Sequence, residues 1–303
     1  MTAAPALDRA AFALEWESWH RAHEERRASD DGFLAVTGLY WLDETPVQPA
    51  GAPGAWTTGP DGVEVRLAAG ESVTVDGREV TGGHRFAPIA ERASVVVGFA
   101  DGVIEVARRG GRDILRPRRR DAAYLAGYHG TPTYVPNTRW RAEARFEAYD
   151  APRPITVDAA VDGIQHVYDA PGELVFSLRG EEFRLIAFPG RTDDLLVLFT
   201  DATSGLTTYA ASRSLAVPPP DADGRTVIDF NRAVNLPCAY TDFATCPLPP
   251  TGNRLPVGIE GGEKTPLARV VGHVTAHGLE LAPVEATPVE ASPAEVAPAE
   301  VAR

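Results

Sequence analysis

Cys238, Asp229 and Glu263 are the residues of this chain best suited to chemistry, and they fall in one stretch together with Cys246. Asn231, Arg232, Asn235, Tyr240 and Asn253 stand among them as candidate ligand-binding residues. Cys238 is a candidate nucleophile, a role that needs a base or a positive charge at the sulfur. Arg232 is near it in sequence, whereas His129 or His166 would have to approach in space. Asp229 and Glu263 are candidate carboxylates for hydrolytic chemistry. The same residues have plainer uses. Asp229 and Asn231 at a strand end suit loop-closing turns that satisfy backbone amides. Cysteines are often simply small buried residues, and Glu263 after Gly261-Gly262 suits a solvated turn. No histidine lies between His166 and His273, so the two sulfurs lack a nearby third ligand and no metal site is expected. A disulfide between them is disfavoured in a reducing cytoplasm.

The elements that must position these residues are mostly strands. Thr226–Phe230 alternates and delivers Asp229. From Asn231 to about Pro256 no period is visible, and Pro237, Pro247, Pro249, Pro250 and Pro256 stiffen the chain. A structureless loop of that length is usually functional. The expectation is that Asp229, Asn231, Asn235 and Glu263 converge on one concavity with a cysteine on its wall, roofed by the 231–256 loop.

Upstream, short alternating runs from about Trp140 to Phe230 are separated by breaks such as Asp162-Gly163, Arg179-Gly180 and Ser204-Gly205. That spacing points to an antiparallel β-barrel or sandwich. Residues 33–120 carry Asp61-Gly62, Asp76-Gly77 and Asp101-Gly102 between alternating runs, the pattern of a small β-meander. Residues 7–28 place Phe12, Trp16, Trp19 and His23 on one helical face, with Gly32 offering a left-handed exit. The chain therefore divides as a helix (1–32), a small β-domain (33–120), a larger β-domain (121–280) and a Pro/Glu tail (281–303) with a five-residue repeat. The fold class is mainly β. No βαβ alternation supports a dinucleotide-binding or TIM-barrel fold.

A run of seven arginines, Arg108 to Arg120, interrupts an otherwise acidic chain. It reads either as an anion-binding wall or as a solvated hairpin paired to acids such as Asp113 and Asp121.

The stretch from Asp229 to Lys264, DFNRAVNLPCAYTDFATCPLPPTGNRLPVGIEGGEK, resembles the signature of an uncharacterised bacterial family, domain of unknown function 1684. The opening helix with Trp16, Gly38-Leu39-Tyr40-Trp41-Leu42, and Phe199-Thr200-Asp201-Ala202-Thr203-Ser204-Gly205 with Thr208-Tyr209 resemble it too, so the similarity spans roughly residues 12–270. Gly261 stands where that family usually has alanine. The resemblance implies one recognisable unit; it brings no reaction and no catalytic residues.

Composition narrows the function classes. A net charge of −13 over 303 residues repels nucleic acid and anionic lipid, so neither nucleic acid nor a membrane is expected as a partner. The opening Met1-Thr2-Ala3-Ala4-Pro5 has no basic-then-apolar pattern. The longest apolar runs are strands such as Leu195–Phe199, far short of the ~18 residues of a membrane span. A cytoplasmic location is expected. No Gly-x-Ser-x-Gly, P-loop, dinucleotide fingerprint or His-Glu-x-x-His is present, and the sequence specifies no cofactor. The first expectation is small-molecule binding in a pocket of the larger β-domain. A hydrolase using Cys238 or Asp229/Glu263, and a structural or partner-binding module, are the alternatives.

The repeat of the tail has little apolar surface to bury. Deleting residues 282–303 is therefore expected to leave the melting temperature unchanged within error. A clear fall in Tm would show that the tail docks on the body.

Overall fold

The structure is a computed structural model that describes residues 8–281. A helix runs from Arg9 to Arg27. Its start is fixed by Asp8, whose carboxylate accepts from the Ala10 N–H at 3.0 Å, and its last turn carries Arg26 and Arg27, the sign that suits a helix C-terminus. Phe12 and Trp16 face the body and are buried. Trp19 and His23 sit further round and stack on each other, with ring centroids 5.5 Å apart. Gly32 does not provide a left-handed exit: its φ is −67°. Glycine is favoured there because a Cβ would lie 2.5 Å from the Arg27 carbonyl oxygen.

The rest is mainly β and antiparallel. One sheet has eight strands in the spatial order Gly272–Thr275, Gly278–Leu281, Gly38–Trp41, Arg112–Arg119, Gly102–Arg109, Ser94–Phe99, Val73–Val75 and Arg78–Val80. A second has seven, in the order Arg225–Asp229, Arg141–Asp158, Gln165–Leu178, Glu181–Pro189, Leu195–Phe199, Arg213–Val217 and Val234–Asn235. A small three-stranded sheet, Ala55–Gly59, Gly62–Arg66 and Gly83–Arg85, packs with the first. Of the three Asp-Gly turns, Asp76-Gly77 has positive φ at both residues, 49° and 75°, as a tight hairpin of that type requires.

Of the two architectures expected for the larger part, the closed barrel is not formed. The seven-stranded sheet stays open. Arg225–Asp229 ends one edge, and Arg213–Val217 lies near it without a ladder between them. A side-chain hydrogen bond, Thr226 Oγ1 to the Pro218 carbonyl at 2.8 Å, spans that seam. The inner face is filled by Trp140, Phe176, Phe199, Phe230 and aliphatic neighbours.

The expected boundary near residue 120 is crossed at the C-terminal end. The hairpin Gly272–Leu281 pairs with Gly38–Trp41 in register Gly38↔Glu280, Leu39↔Leu279 and Tyr40↔Gly278, so it belongs to the first sheet and not with residues 121–271. The strand Gly38–Trp41 would otherwise present a row of unpaired backbone groups at a sheet edge. Gly278 makes the approach possible, since a Cβ there would lie 2.0 Å from the Leu39 oxygen. The repeat region beyond residue 281 lies outside the described residues.

Trp16 is 7% exposed and its indole N–H donates to the Asn231 carbonyl at 2.7 Å. Trp16→Ala is expected to destabilise the fold by about 3–5 kcal/mol, the usual result of emptying a large buried site. A loss below ~1 kcal/mol in denaturant unfolding would show that the helix is not seated on the body.

Candidate functional site

The strand Arg225–Asp229 ends in a short 3-10 turn, Phe230–Arg232. Asp229 caps it, accepting from the Asn231 backbone N–H at 3.1 Å and from its side-chain amide at 2.7 Å. Asn231 is buried and spends its amide on backbone: Oδ1 accepts from the Asn137 N–H at 2.8 Å and Nδ2 donates to the Asn137 carbonyl at 3.0 Å. This pairing ties residues 137 and 231 together beneath Trp16.

Glu263 is the centre of a second, denser group. It is 1% exposed. Its Oε1 accepts from Arg27 Nη2 at 2.5 Å, and its Oε2 accepts from the Asn235 N–H at 2.7 Å and from the Tyr240 hydroxyl at 3.2 Å. Arg27 also donates through Nη1 to Glu24 at 2.5 Å, to Thr131 at 2.7 Å and to Tyr128 at 3.1 Å. Tyr128 donates to Glu24, and Thr131 links Tyr128 with Tyr240. Burial pushes the Glu263 carboxyl above the usual carboxylate range, while the Arg27 guanidinium pulls the other way. Burial acts to lower Arg27, but Glu263, Tyr240 and Tyr128 together outweigh it and hold the guanidinium firmly protonated. His23 Nε2 lies 2.6 Å from Arg27 Nη2. A guanidinium only donates, so that nitrogen accepts and the ring is neutral. Burial, then the charge of Arg27, drive its pKa down to about 3.

The sequence reading missed what holds Glu263 in place. Arg213 is fully buried and paired with the buried Asp201 at 2.8 Å. Its guanidinium also donates to the carbonyls of Gly261 at 2.5 Å and Ile259 at 3.0 Å, and Asp201 accepts the Ile259 N–H at 3.1 Å. Gly262 completes the path with φ of 79°, where a Cβ would sit 2.4 Å from the Ala233 oxygen. Asp201 lies in one of the stretches that resembles the family; Arg213 carried no local signal.

The remaining candidates lie elsewhere. Asn253 acts as an extra strand residue: its side chain accepts the Ile186 N–H at 2.7 Å and donates to the carbonyls of Ile186 at 2.9 Å and Leu198 at 2.8 Å. Cys238 and Cys246 are free thiols in a small buried cluster with Ala244. Arg232 pairs with Glu15 at 2.5 Å and lies over the Trp19 ring at 5.4 Å. The structure thus brings Asn235, Tyr240 and Glu263 together, sets Asp229, Asn231 and Arg232 side by side, and leaves Asn253 and the cysteines in separate surroundings. No residue from 231 to 250 is exposed, so this loop is packed into the body. The arginine run is paired chiefly to one buried acid, Glu105, which accepts from Arg109, Arg116 and Arg118, with Arg108 on Asp113 and Arg119 on Asp121.

Two cavities flank the helix. A groove of about 540 Å³ lies between it and the open seam of the seven-stranded sheet. Phe12, Trp19, Val217, Pro218 and Val227 form apolar walls, and Glu15, Arg141, Asp194, Asp229 and Arg232 add charge. On the other side, a shallower pocket of about 760 Å³ is lined by Trp16, His20, Glu24, Tyr128, His129 and Thr131, with Leu267 at its edge. Glu263 lies beneath it, joined to its wall through Thr131 and Tyr240. His20, Glu24 and Glu263 bring potential ligand atoms within 4.8 Å of one another. The Arg27 guanidinium stands 2.5 Å from both carboxylates, so this set already holds a fixed cation. Among the described residues, no helix is long and apolar enough to cross a membrane.

Residues 126–264 match the family described as a protein of unknown function (DUF1684). The chain is also similar to an uncharacterized protein of Haloarcula marismortui with a solution NMR structure, at 32% identity over 47% of this chain and 80% of that one, with a TM-score of 0.40. No curated protein matches the chain.

Glu263→Ala is expected to cost about 3–5 kcal/mol in denaturant unfolding, because it removes the more deeply buried of Arg27's two carboxylates and leaves the Asn235 N–H and the Tyr240 hydroxyl without their acceptor. A cost within error would show that Glu24 alone is enough to hold Arg27. His23 generates a pH dependence. Its folded pKa of about 3 lies below the ordinary 6.5, so the unfolded chain binds more protons in between. Its contribution to stability is complete above pH 6.5 and is lost as pH falls toward 3. His23→Gln should therefore flatten the acid-side fall of Tm in that window; an unchanged slope would show that His23 is not held neutral.

Proposed function

The chain belongs to the DUF1684 family, and we propose that it binds a small molecule in the groove between the N-terminal helix and the seven-stranded sheet. The observation that carries this reading is the character of that groove. Its volume of about 540 Å³ falls in the range of small-molecule sites, roughly 300–1,000 Å³. Its walls are apolar and aromatic, and a few charged groups converge at its rim, which is the usual build of such a site. The mouth of a β-structure is a common place for one.

The ligand class follows from the lining. Four carboxylates, Asp8, Glu15, Asp194 and Asp229, face two arginines, Arg141 and Arg232. Arg232 is already committed to Glu15 and stacked toward Trp19. The excess of negative charge favours a compound with an apolar or aromatic body and a cationic end. The helix covers this groove, in the place where the sequence reading set the 231–256 loop. We place the binding in the cytoplasm, in keeping with two free buried cysteines. The carboxylate form of the hydrolase alternative gains no comparable support. Asp229 is engaged by Asn231, and Glu263 by Arg27, Asn235 and Tyr240, so the two carboxylates do not work as a pair.

A thermal-shift screen of amphiphilic amines and other small metabolites tests the proposal. A ligand present at 100 times its Kd should stabilise the native protein by about 2.7 kcal/mol. Val227→Trp, which fills the groove, should abolish the shift while leaving the unliganded protein folded. If no compound shifts the native protein, or if the filled variant responds equally, the groove is not the site.

A further inference from the structure

We propose that Cys238 and Cys246 form a peroxide-reactive dithiol that closes to an intramolecular disulfide. The two residues are held together by the fold. Cys238 lies in the 3-10 turn Pro237–Ala239, and its backbone N–H donates to Cys246 Sγ at 3.3 Å. Both side chains share one buried cluster with Ala244, packed against Leu236 and Tyr209. Neither sulfur is used by the groove or by the Glu263 network, so the inference stands apart from the proposed binding function.

A guanidinium and a tyrosine hydroxyl stand beside Cys238. Its carbonyl accepts from the Tyr209 hydroxyl at 2.9 Å and from Arg269 through Nε at 3.2 Å and Nη2 at 3.1 Å, which fixes a guanidinium beside the turn. A neighbouring positive charge favours the thiolate, and Arg269, although paired with Asp242 at 2.5 Å, is such a charge. In keeping with this, the hydrogen bond from Cys246, outweighing burial, sets Cys238 below the ordinary thiol range, while the same bond and burial hold Cys246 well above it. One thiol is thus poised to attack and the other keeps its proton as the resolving partner.

The oxidant class follows from access. Cys238 is 2% exposed and Cys246 8% exposed, too little for a bulky disulfide such as oxidised glutathione. The oxidant of the proposal is therefore the small, neutral hydrogen peroxide. The Cys238 thiolate attacks one peroxide oxygen and the O–O bond breaks; the departing hydroxide takes a proton from solvent and leaves as water. Cys238 is then a sulfenic acid. The Cys246 sulfur attacks the sulfenyl sulfur, the S–O bond breaks, and the hydroxide leaves with the thiol proton as a second water. The two thiols together lose two electrons and two hydrogens, and one peroxide is reduced to two waters.

The test is peroxide treatment of the purified full chain, followed by alkylation under denaturing conditions and mass analysis of the tryptic peptide Ala233–Arg254, which contains both cysteines. The expected product is that peptide lighter by two hydrogens, unalkylated, and fully restored to two alkylatable thiols by dithiothreitol. In Cys246→Ser, a dimedone adduct should appear on Cys238; should that variant fail to fold, the wild-type peptide decides alone. The proposal is overturned if both cysteines remain alkylatable, if either gains oxygen without closing the bond, or if the disulfide links two molecules.

Discussion

The pairing of Arg27 with Glu263 is the constraint on which the arrangement around the helix depends. It joins the last turn of the N-terminal helix to a chain segment more than two hundred residues away, with both side chains out of solvent. Taking two charges out of water is expensive, and the attraction between them offsets this only when every remaining donor and acceptor is satisfied. Nearly all are. Glu24, Thr131, Tyr128 and His23 take the other arginine N–H groups, and Asn235 and Tyr240 complete the carboxylate. Arg27 Nε has no partner among the described residues. Such a network tolerates one geometry, so it sets where the helix lies on the β-body.

A second buried pair makes the first one possible. Arg213 and Asp201 grip residues 259–263 through backbone carbonyls and an N–H, and Gly262 lets the chain turn against Ala233. Glu263 is therefore presented by a rigid segment. This is the condition under which a buried carboxylate can meet a guanidinium without a large loss of side-chain freedom. The two ion pairs act in series: one shapes the loop, the other docks the helix on it.

Fixing the helix creates the cavities on either side of it. The seven-stranded sheet does not close, and its open seam would expose Val217, Pro218 and Val227 to water. Phe12 and Trp19 of the helix lie across that seam without filling it. The groove is thus a consequence of an open sheet covered by a helix whose position is dictated elsewhere, at Arg27 and at the Trp16–Asn231 hydrogen bond.

Local pattern was enough for the elements. The spacing of Phe12 and Trp16, the alternating runs and the Asp-Gly turns all act over a few residues, so they could be read directly, as could the mainly β class and the family signature around Cys238. What a residue does with its polar atoms could not. Asn253 reads like a loop ligand and serves as a strand edge, because the Ile186 and Leu198 groups that it meets come from other strands. Arg213 carries no local signal and is fully buried, because Asp201 and the carbonyls of 259 and 261 fold around it. The C-terminal hairpin alternates like any strand pair, and only the open edge at Gly38–Trp41 decides which sheet receives it. Sequence determined the elements because their signals are local. Tertiary structure decided partners, because a buried donor or charge is satisfied by whatever the fold brings to it, however distant in the chain.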